Sequence, residues 1–246
     1  MKRNATILGL TWASAGLLAL LTMLASGQAA LAEGLRVSPV TIEVTAPGAT
    51  STLALRNDGP QAITIQARVY RWVQEGGEER YEPTRDVVVS PPMTRLKPGA
   101  KQSVRIVRTT KTRVNGEEAY RVFVDEVPDL SRSQAGTVAF VTRLRIPVFF
   151  VASGARLPEV RWSLTRDSGR AVLEAKNTGD VRLRLADVEL VQGGGTVDSH
   201  KGLFGYVLGG ASMRFPLGSA SKFRNGPLSL QAVTSRGPLS AAVSQR

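Results

Sequence analysis

From about Glu33 onward, apolar and polar residues alternate with a period of two almost everywhere. Leu35-Arg36-Val37 starts the pattern, and Val40, Ile42 and Val44 carry it to Pro47-Gly48. Leu53 and Leu55 alternate up to the turn Asn57-Asp58-Gly59-Pro60. Ile63, Ile65, Ala67 and Val69 then run to Arg71-Trp72 and the break at Gly76-Gly77. Val87-Val88-Val89 ends at Pro91-Pro92. Val104-Arg105-Ile106-Val107 follows the turn Pro98-Gly99, and Asn115-Gly116 precedes Tyr120-Arg121-Val122-Phe123-Val124. The longest run passes through Val138, Phe140, Leu144, Ile146 and Val148. Successive side chains of a strand point to opposite faces, so this is the pattern of strands with one face on a core. Short strands at regular spacing, punctuated by Gly, Pro and Asn turns, predict an all-β sandwich architecture with almost no helix.

The pattern pauses at Ala152-Ser153-Gly154-Ala155, a small, uncharged stretch after the longest run, which is the expected domain junction. It restarts with Val160, Trp162 and Leu164, turns at Asp167-Ser168-Gly169, and continues through Val172-Leu173. Asn177-Thr178-Gly179 and Gly193-Gly194-Gly195 mark further turns, the glycine triplet reading as a hairpin. The expected division is a first domain over 33–153 and a second sandwich over 154–246. The polar tail Arg236 to Arg246 is expected to fray.

The residues ahead of the pattern change the compartment. Lys2 and Arg3 form a positive start, Ile7 to Ala25 is mostly apolar and uncharged, and Ala30-Leu31-Ala32 fits a small-x-small cleavage site. Residues 1–32 therefore read as a signal peptide for export to the periplasm. The competing reading is a retained anchor, because the run reaches the roughly 18 residues needed to span a bilayer. The positive start, the break at Ser26-Gly27-Gln28 and the cleavage site favour removal, which leaves no membrane-length apolar stretch. Loss of Lys2 and Arg3 with an acid-free leader takes the net charge from +12 to +10. Such a balance favours acidic partners or carboxylate-capturing sites. It argues little for nucleic acid, because the basic residues are scattered through strand-like segments and the chain is expected to be exported. The chain has no cysteine, which excludes disulfides, thiol catalysis and cysteine metal sites.

No catalytic constellation is visible. His200 is the only histidine, and Asp198-Ser199-His200 are consecutive residues that do not converge as nucleophile, base and orienter; His200 reads as an exposed loop residue. Asp125 and Glu126 are adjacent on a strand and point to opposite faces. No phosphate-binding loop, H-E-x-x-H or G-x-S-x-G motif occurs. Binding, with no cofactor and no metal, is the expected activity.

Several stretches, taken in order, resemble periplasmic pilus chaperones of the chaperone–usher pathway, especially the branch serving spore-coat-U-like subunits. They are Val37-Ser38-Pro39-Val40, read as part of the first strand, Leu55-Arg56-Asn57-Asp58-Gly59, Ser90-Pro91-Pro92-Met93, Leu96-Lys97-Pro98-Gly99 and Val104-Arg105-Ile106. The most specific is Tyr120-Arg121-Val122-Phe123-Val124-Asp125-Glu126-Val127-Pro128. Arg145-Ile146-Pro147-Val148-Phe149, Asn177-Thr178-Gly179 and Gly205-Tyr206-Val207-Leu208-Gly209-Gly210 follow. The resemblance implies two immunoglobulin-like sandwiches set in an L with a cleft between them. It implies a non-enzymatic chaperone whose partners are incomplete pilus subunits and an outer-membrane usher.

The resemblance also implies particular residues. Relatives lend the last strand of the first domain to a subunit that lacks one, an instance of strand addition. Gly136 to Ile146 has the required form, with Val138, Phe140, Leu144 and Ile146 on one face and Thr142 interrupting it. Alternation alone reads the same face as ordinary core. Relatives also hold the subunit's C-terminal carboxylate with two basic residues in the cleft. By register one falls on Arg145, with Arg143 on the same face as the other candidate. The first-strand position falls on Thr41, which offers a hydroxyl but no charge, and Arg36 is a possible substitute. The alternative function is an exported structural or adhesive β-sandwich module of a surface appendage. An exported hydrolase would need chemistry that the sequence lacks.

Overall fold

The alternating runs fold as strands because β-branched and aromatic residues at every second position fill one face of a sheet and leave the other polar. The computed structural model describes residues 34–129 and 141–246. The expected leader, and Val138 and Phe140 of the longest run, lie outside the described residues.

A four-stranded antiparallel sheet has the order β1 (Leu35–Ser38), β3 (Thr50–Asn57), β8 (Lys101–Arg108) and β6 (Val87–Ser90). Facing it is a six-stranded sheet with the order β2 (Ile42–Thr45), β10 (Arg143–Val151), β9 (Glu117–Val127), β4 (Ile63–Glu75) and β5 (Glu78–Pro83), in which β7 (Met93–Leu96) also pairs β4. Leu53, Leu55, Val104 and Ile106 from the first sheet meet Ile65, Val122, Val124, Ile146 and Val148 from the second in one buried cluster. Each such side chain contributes roughly 1.5–3 kcal/mol when fully removed from water.

The run from Leu35 to Val44 is not one strand. It breaks at Ser38-Pro39, whose peptide is cis, and the chain crosses from the four-stranded sheet into the six-stranded one. Pro39 has no N–H to continue the ladder, and Val40 is 71% exposed. The alternation is blind to this change of sheet because both halves face the same core.

The remaining strands form one seven-stranded sheet in the order β14 (Gly195–Val207), β13 (Leu183–Gln192), β16 (Leu228–Thr234), β17 (Gly237–Gln245), β11 (Val160–Asp167), β12 (Arg170–Asn177) and β15 (Ser212–Ser219). The parallel pair β11–β17 keeps the hydrogen bonding unbroken where a sandwich usually changes sheet. Trp162, Leu164, Leu173, Leu185, Leu190 and Leu230 pack together as the second core. The expected frayed tail is instead β17, hydrogen-bonded to β16 on one side and β11 on the other. Its Leu239, Ala241 and Val243 face the core, and small residues between serines carry too weak a hydrophobic signal to be read from sequence. The glycine triplet does turn a hairpin, between β13 and β14. His200 lies on edge strand β14, exposed, rather than in a loop, because the ladder with β13 continues past it through register shifts. Among the described residues, the only helical element recorded is the 3-10 turn Ala220–Lys222.

One asparagine device occurs in both halves. Asn57 and Asn177 are each 1% exposed. The Asn57 side chain donates to the Leu96 and Gln61 carbonyls and accepts from Gly59 N–H. The Asn177 side chain donates to the Val181 and Val207 carbonyls and accepts from Gly179 N–H. Each pins a turn to a neighbouring strand, which explains the Asn-x-Gly pattern at both sites.

Candidate functional site

Odd-numbered residues of β9 and β10 and even-numbered residues of β4 face away from the first core. Cross-strand register stacks them in rows: Arg143 beside Asp125 and Gln66, Arg145 beside Phe123 and Arg68, and Pro147 beside Arg121 and Tyr70. Tyr81 of β5 joins at the level of Trp72. The result is a face of arginines set among aromatic rings.

Arg143 and Arg145 share this face, as the alternation predicts, but their surroundings differ. Arg143 Nε lies 2.6 Å from Asp125 Oδ1, and Arg68 Nη2 lies 2.5 Å from Asp125 Oδ2. Burial pushes the Asp125 carboxyl up, but the hydrogen bonds from Arg68 and Arg143 outweigh it and hold the group below its ordinary range. Arg143 is therefore already neutralised by its own chain. Arg145 has no ion pair among the described residues. Its guanidinium lies 5.2 Å from the Phe123 ring centroid and 5.6 Å from that of Tyr81.

Arg121 is the residue that sequence reasoning missed. Its guanidinium stacks 3.7 Å over the Trp72 ring and donates to the Arg145 carbonyl at 3.4 Å. Its Nε is buried with no hydrogen-bond partner, and no acid pairs with it among the described residues. Arg121 stands inside the most specific stretch of the sequence resemblance, yet only the register of β9 on β10 brings it beside Arg145. Tyr81 completes this corner. Burial first, then its bond to Glu79, pushes the Tyr81 hydroxyl up.

The other predicted residues fall as follows. Thr41 is half-buried and immediately precedes Ile42, which pairs with Val148 of β10. Arg36 lies on β1 in the other sheet, where its Nε is 2.7 Å from Asp58, so it does not substitute at this face. Ile146 is 5% exposed within the first core, and Leu144 packs half-buried against it. The Thr142 carbonyl accepts from Glu126 N–H at 2.9 Å. Val138 and Phe140 lie outside the described residues.

One feature of β10 matters most. Its pairing with β9 runs from Arg143 to Val151, but β2 covers its other edge only from Val148 to Val151. From Arg143 to Pro147 that second edge is open among the described residues, directly beside Arg145.

The far end of the face is closed by residues from the second half. Trp72 and Phe149 pack with Tyr206 and Leu208 in a third buried cluster. The Gln74 side chain donates to the Tyr206 carbonyl and accepts from Leu208 N–H, both at 2.8 Å. Arg182 ion-pairs Glu117 and Glu43, and its guanidinium lies 3.5 Å over the Phe149 ring.

Residues 34–155 match the family described as pili and flagellar-assembly chaperone, PapD N-terminal domain. That stretch is a domain of the PapD family of pilus-assembly chaperones. The match is to an assembly chaperone and points to a non-enzymatic one. No curated protein matches it in sequence. Solved structures share its fold. A chain of the CsuC–CsuE chaperone–tip adhesion subunit pre-assembly complex, from the archaic chaperone–usher Csu pili of Acinetobacter baumannii, is 24% identical at a TM-score of 0.69. The match covers 87% of this chaperone and 99% of that chain. A chain from the Salmonella enterica SafA pilin complex with the SafB chaperone is 18% identical at a TM-score of 0.60, covering 85% and 96%. The E. coli chaperone DraB is 20% identical at 0.58, covering 85% and 98%.

Proposed function

We propose that this protein is a periplasmic chaperone that holds incomplete pilus subunits by donor-strand complementation and passes them to an outer-membrane usher. The observation that carries the reading is the open edge of β10 from Arg143 to Pro147 beside an unpaired Arg145. An open edge offers main-chain groups to a partner strand, and alternate side chains give it specificity. Val138, Phe140, Thr142 and Leu144 supply the donated face, with Ile146 rooted in the chaperone's own core as its end point.

Arg145 receives the subunit's terminal carboxylate, with Arg121 beside it as the second free cation. A guanidinium binds a carboxylate through parallel hydrogen bonds, which fixes position as well as charge. Thr41 flanks the site, and Arg143, already paired with Asp125, contributes less. Residues 1–32 direct export and are removed, and the two domains divide near 153–154.

The test is co-expression with candidate subunits. Phe140→Ala is expected to leave the melting temperature of the free chaperone unchanged while weakening capture about 10- to 150-fold, the equivalent of roughly 1.5–3 kcal/mol of lost burial. Arg145→Ala is expected to reduce capture more than Arg143→Ala. A large loss of melting temperature in free Phe140→Ala places that ring in the chaperone's own core and ends the donor reading. Wild-type capture by an Arg145→Ala, Arg121→Ala double variant ends the anchor reading.

A further inference from the structure

A second basic site lies on the outer face of the seven-stranded sheet, away from β10. A cavity of about 650 Å3 opens between β11, β12, β15 and the Gly76-Gly77 turn that joins β4 to β5. Its lining includes the side chains of Arg161, Lys176, Arg214 and Arg246, with Glu174 as the one acidic side chain. That acid is already engaged: Arg214 Nε lies 3.5 Å from it, and the Ser163 and Thr165 hydroxyls donate to it. Arg161 and Lys176 form no ion pair among the described residues, yet they are direct cross-strand partners in the β11–β12 register. Like charges directly opposite each other on a sheet destabilise it. Two free cations are thus held together at a cost to the fold, in a recess large enough for a small organic ligand.

The recess is also built. Gly77 makes an isolated bridge to Met213, and Arg214 N–H donates to its carbonyl at 3.0 Å. Gly77 has φ +85°, and a Cβ there would come within 2.5 Å of Arg214 Cγ. Only glycine lets the turn lie against the arginine stem, and so the turn fixes one wall of the cavity and the direction of Arg214.

We propose that this recess binds a phosphate group, bridged by Arg161 and Lys176 with Arg246 beside them, while Arg214, held by Glu174 and Asp167, shapes the wall. A multiply charged oxyanion matches several converging cations better than a lone carboxylate does, and guanidinium forks suit its geometry. The remaining volume leaves room for the small body of a phosphate ester, whether free or the headgroup of a lipid.

The experiment is calorimetric titration of the purified protein with inorganic pyrophosphate, alongside co-sedimentation with phosphatidylglycerol vesicles. It compares wild type with an Arg161→Ser, Lys176→Ser double variant and a charge-matched control, Lys101→Ser, Arg105→Ser, on β8. Saturable wild-type binding is expected, at least 10-fold weaker in the pocket variant and unchanged in the control. The pocket variant's melting temperature should hold or rise, because a repulsive pair is removed. Pocket-dependent binding of pyrophosphate alone identifies a soluble ester; the same dependence on vesicles identifies a headgroup. The proposal is overturned if wild type binds neither probe saturably, if both variants lose binding equally, or if only an oligoglutamate peptide binds at the pocket.

Discussion

Replacing Arg182 by alanine should destabilise the protein strongly, because it leaves a buried carboxylate without its partner. The Glu117 side chain is 2% exposed and Arg182 is 13% exposed, whereas Glu43 is 53% exposed. Breaking a buried pair by removing one partner costs about 3–5 kcal/mol, because the other charge stays buried. The half-exposed link to Glu43 adds at most about 1 kcal/mol, and the stack on Phe149 about 0.5–2 kcal/mol. Water entering the space left by the side chain offsets part of this, so about 3 kcal/mol is expected. That corresponds to a fall in melting temperature of roughly 6–12 °C for a chain of this size.

The loss should depend on pH. Burial already pushes the Glu117 carboxyl up against the pull of Arg182, and without Arg182 it rises further. A raised folded pKa gives stability that is complete below the unfolded value and is lost as pH rises through the folded one. The deficit of Arg182→Ala should therefore be full at pH 7.5 and shrink towards pH 4.5. Adding Glu117→Gln to Arg182→Ala should recover most of it at pH 7.5. Thermal and urea unfolding of both variants at the two pH values measure this. A deficit under about 1 kcal/mol at pH 7.5, or one equal at both pH values, refutes the assignment of Arg182 as the partner of a buried charge.

Asn57→Ala and Asn177→Ala should each cost about 2–3 kcal/mol, since each removes two donated hydrogen bonds and strips a glycine N–H of its acceptor; urea midpoints close to wild type would show that the turns hold without them. Asp125→Asn should lose about 1–2 kcal/mol at neutral pH, a figure reduced for the partial exposure of Arg68 and Arg143. The Asp125 pKa is lowered on folding, so its stabilisation is present above the ordinary value of 3.8 and disappears only as pH falls through the folded one. Melting curves of the two proteins that converge already at pH 5 would contradict this.

Much of the fold could be read in the sequence because a period of two is a direct imprint of the pleat. Tyr120, Val122 and Val124 announce a buried face, and the same alternation places Arg143 and Arg145 together on the opposite one. What the period does not contain is which strand lies next to which. Arg121 and Arg145 are neighbours only through the β9–β10 register. The neutralisation of Arg143 by Asp125 is likewise a cross-strand fact. The break at Pro39 does not show in the period, because a strand that changes sheets keeps its alternation. The tail reads as polar because alanine and serine alternate too faintly in hydrophobicity to announce β17.

The Gln74, Arg182 and Trp72–Tyr206 contacts also bear on the thermodynamics of capture. They tie the two halves of the molecule together through a buried cluster, a doubly hydrogen-bonded amide and a two-carboxylate ion pair. The wall that carries Arg145 and Arg121 is thereby pre-organised. The encounter proposed above then costs that wall little ordering entropy. Its heat-capacity change should report apolar surface buried by the guest and at the contact itself. Affinity differences among guests should appear in how slowly they leave.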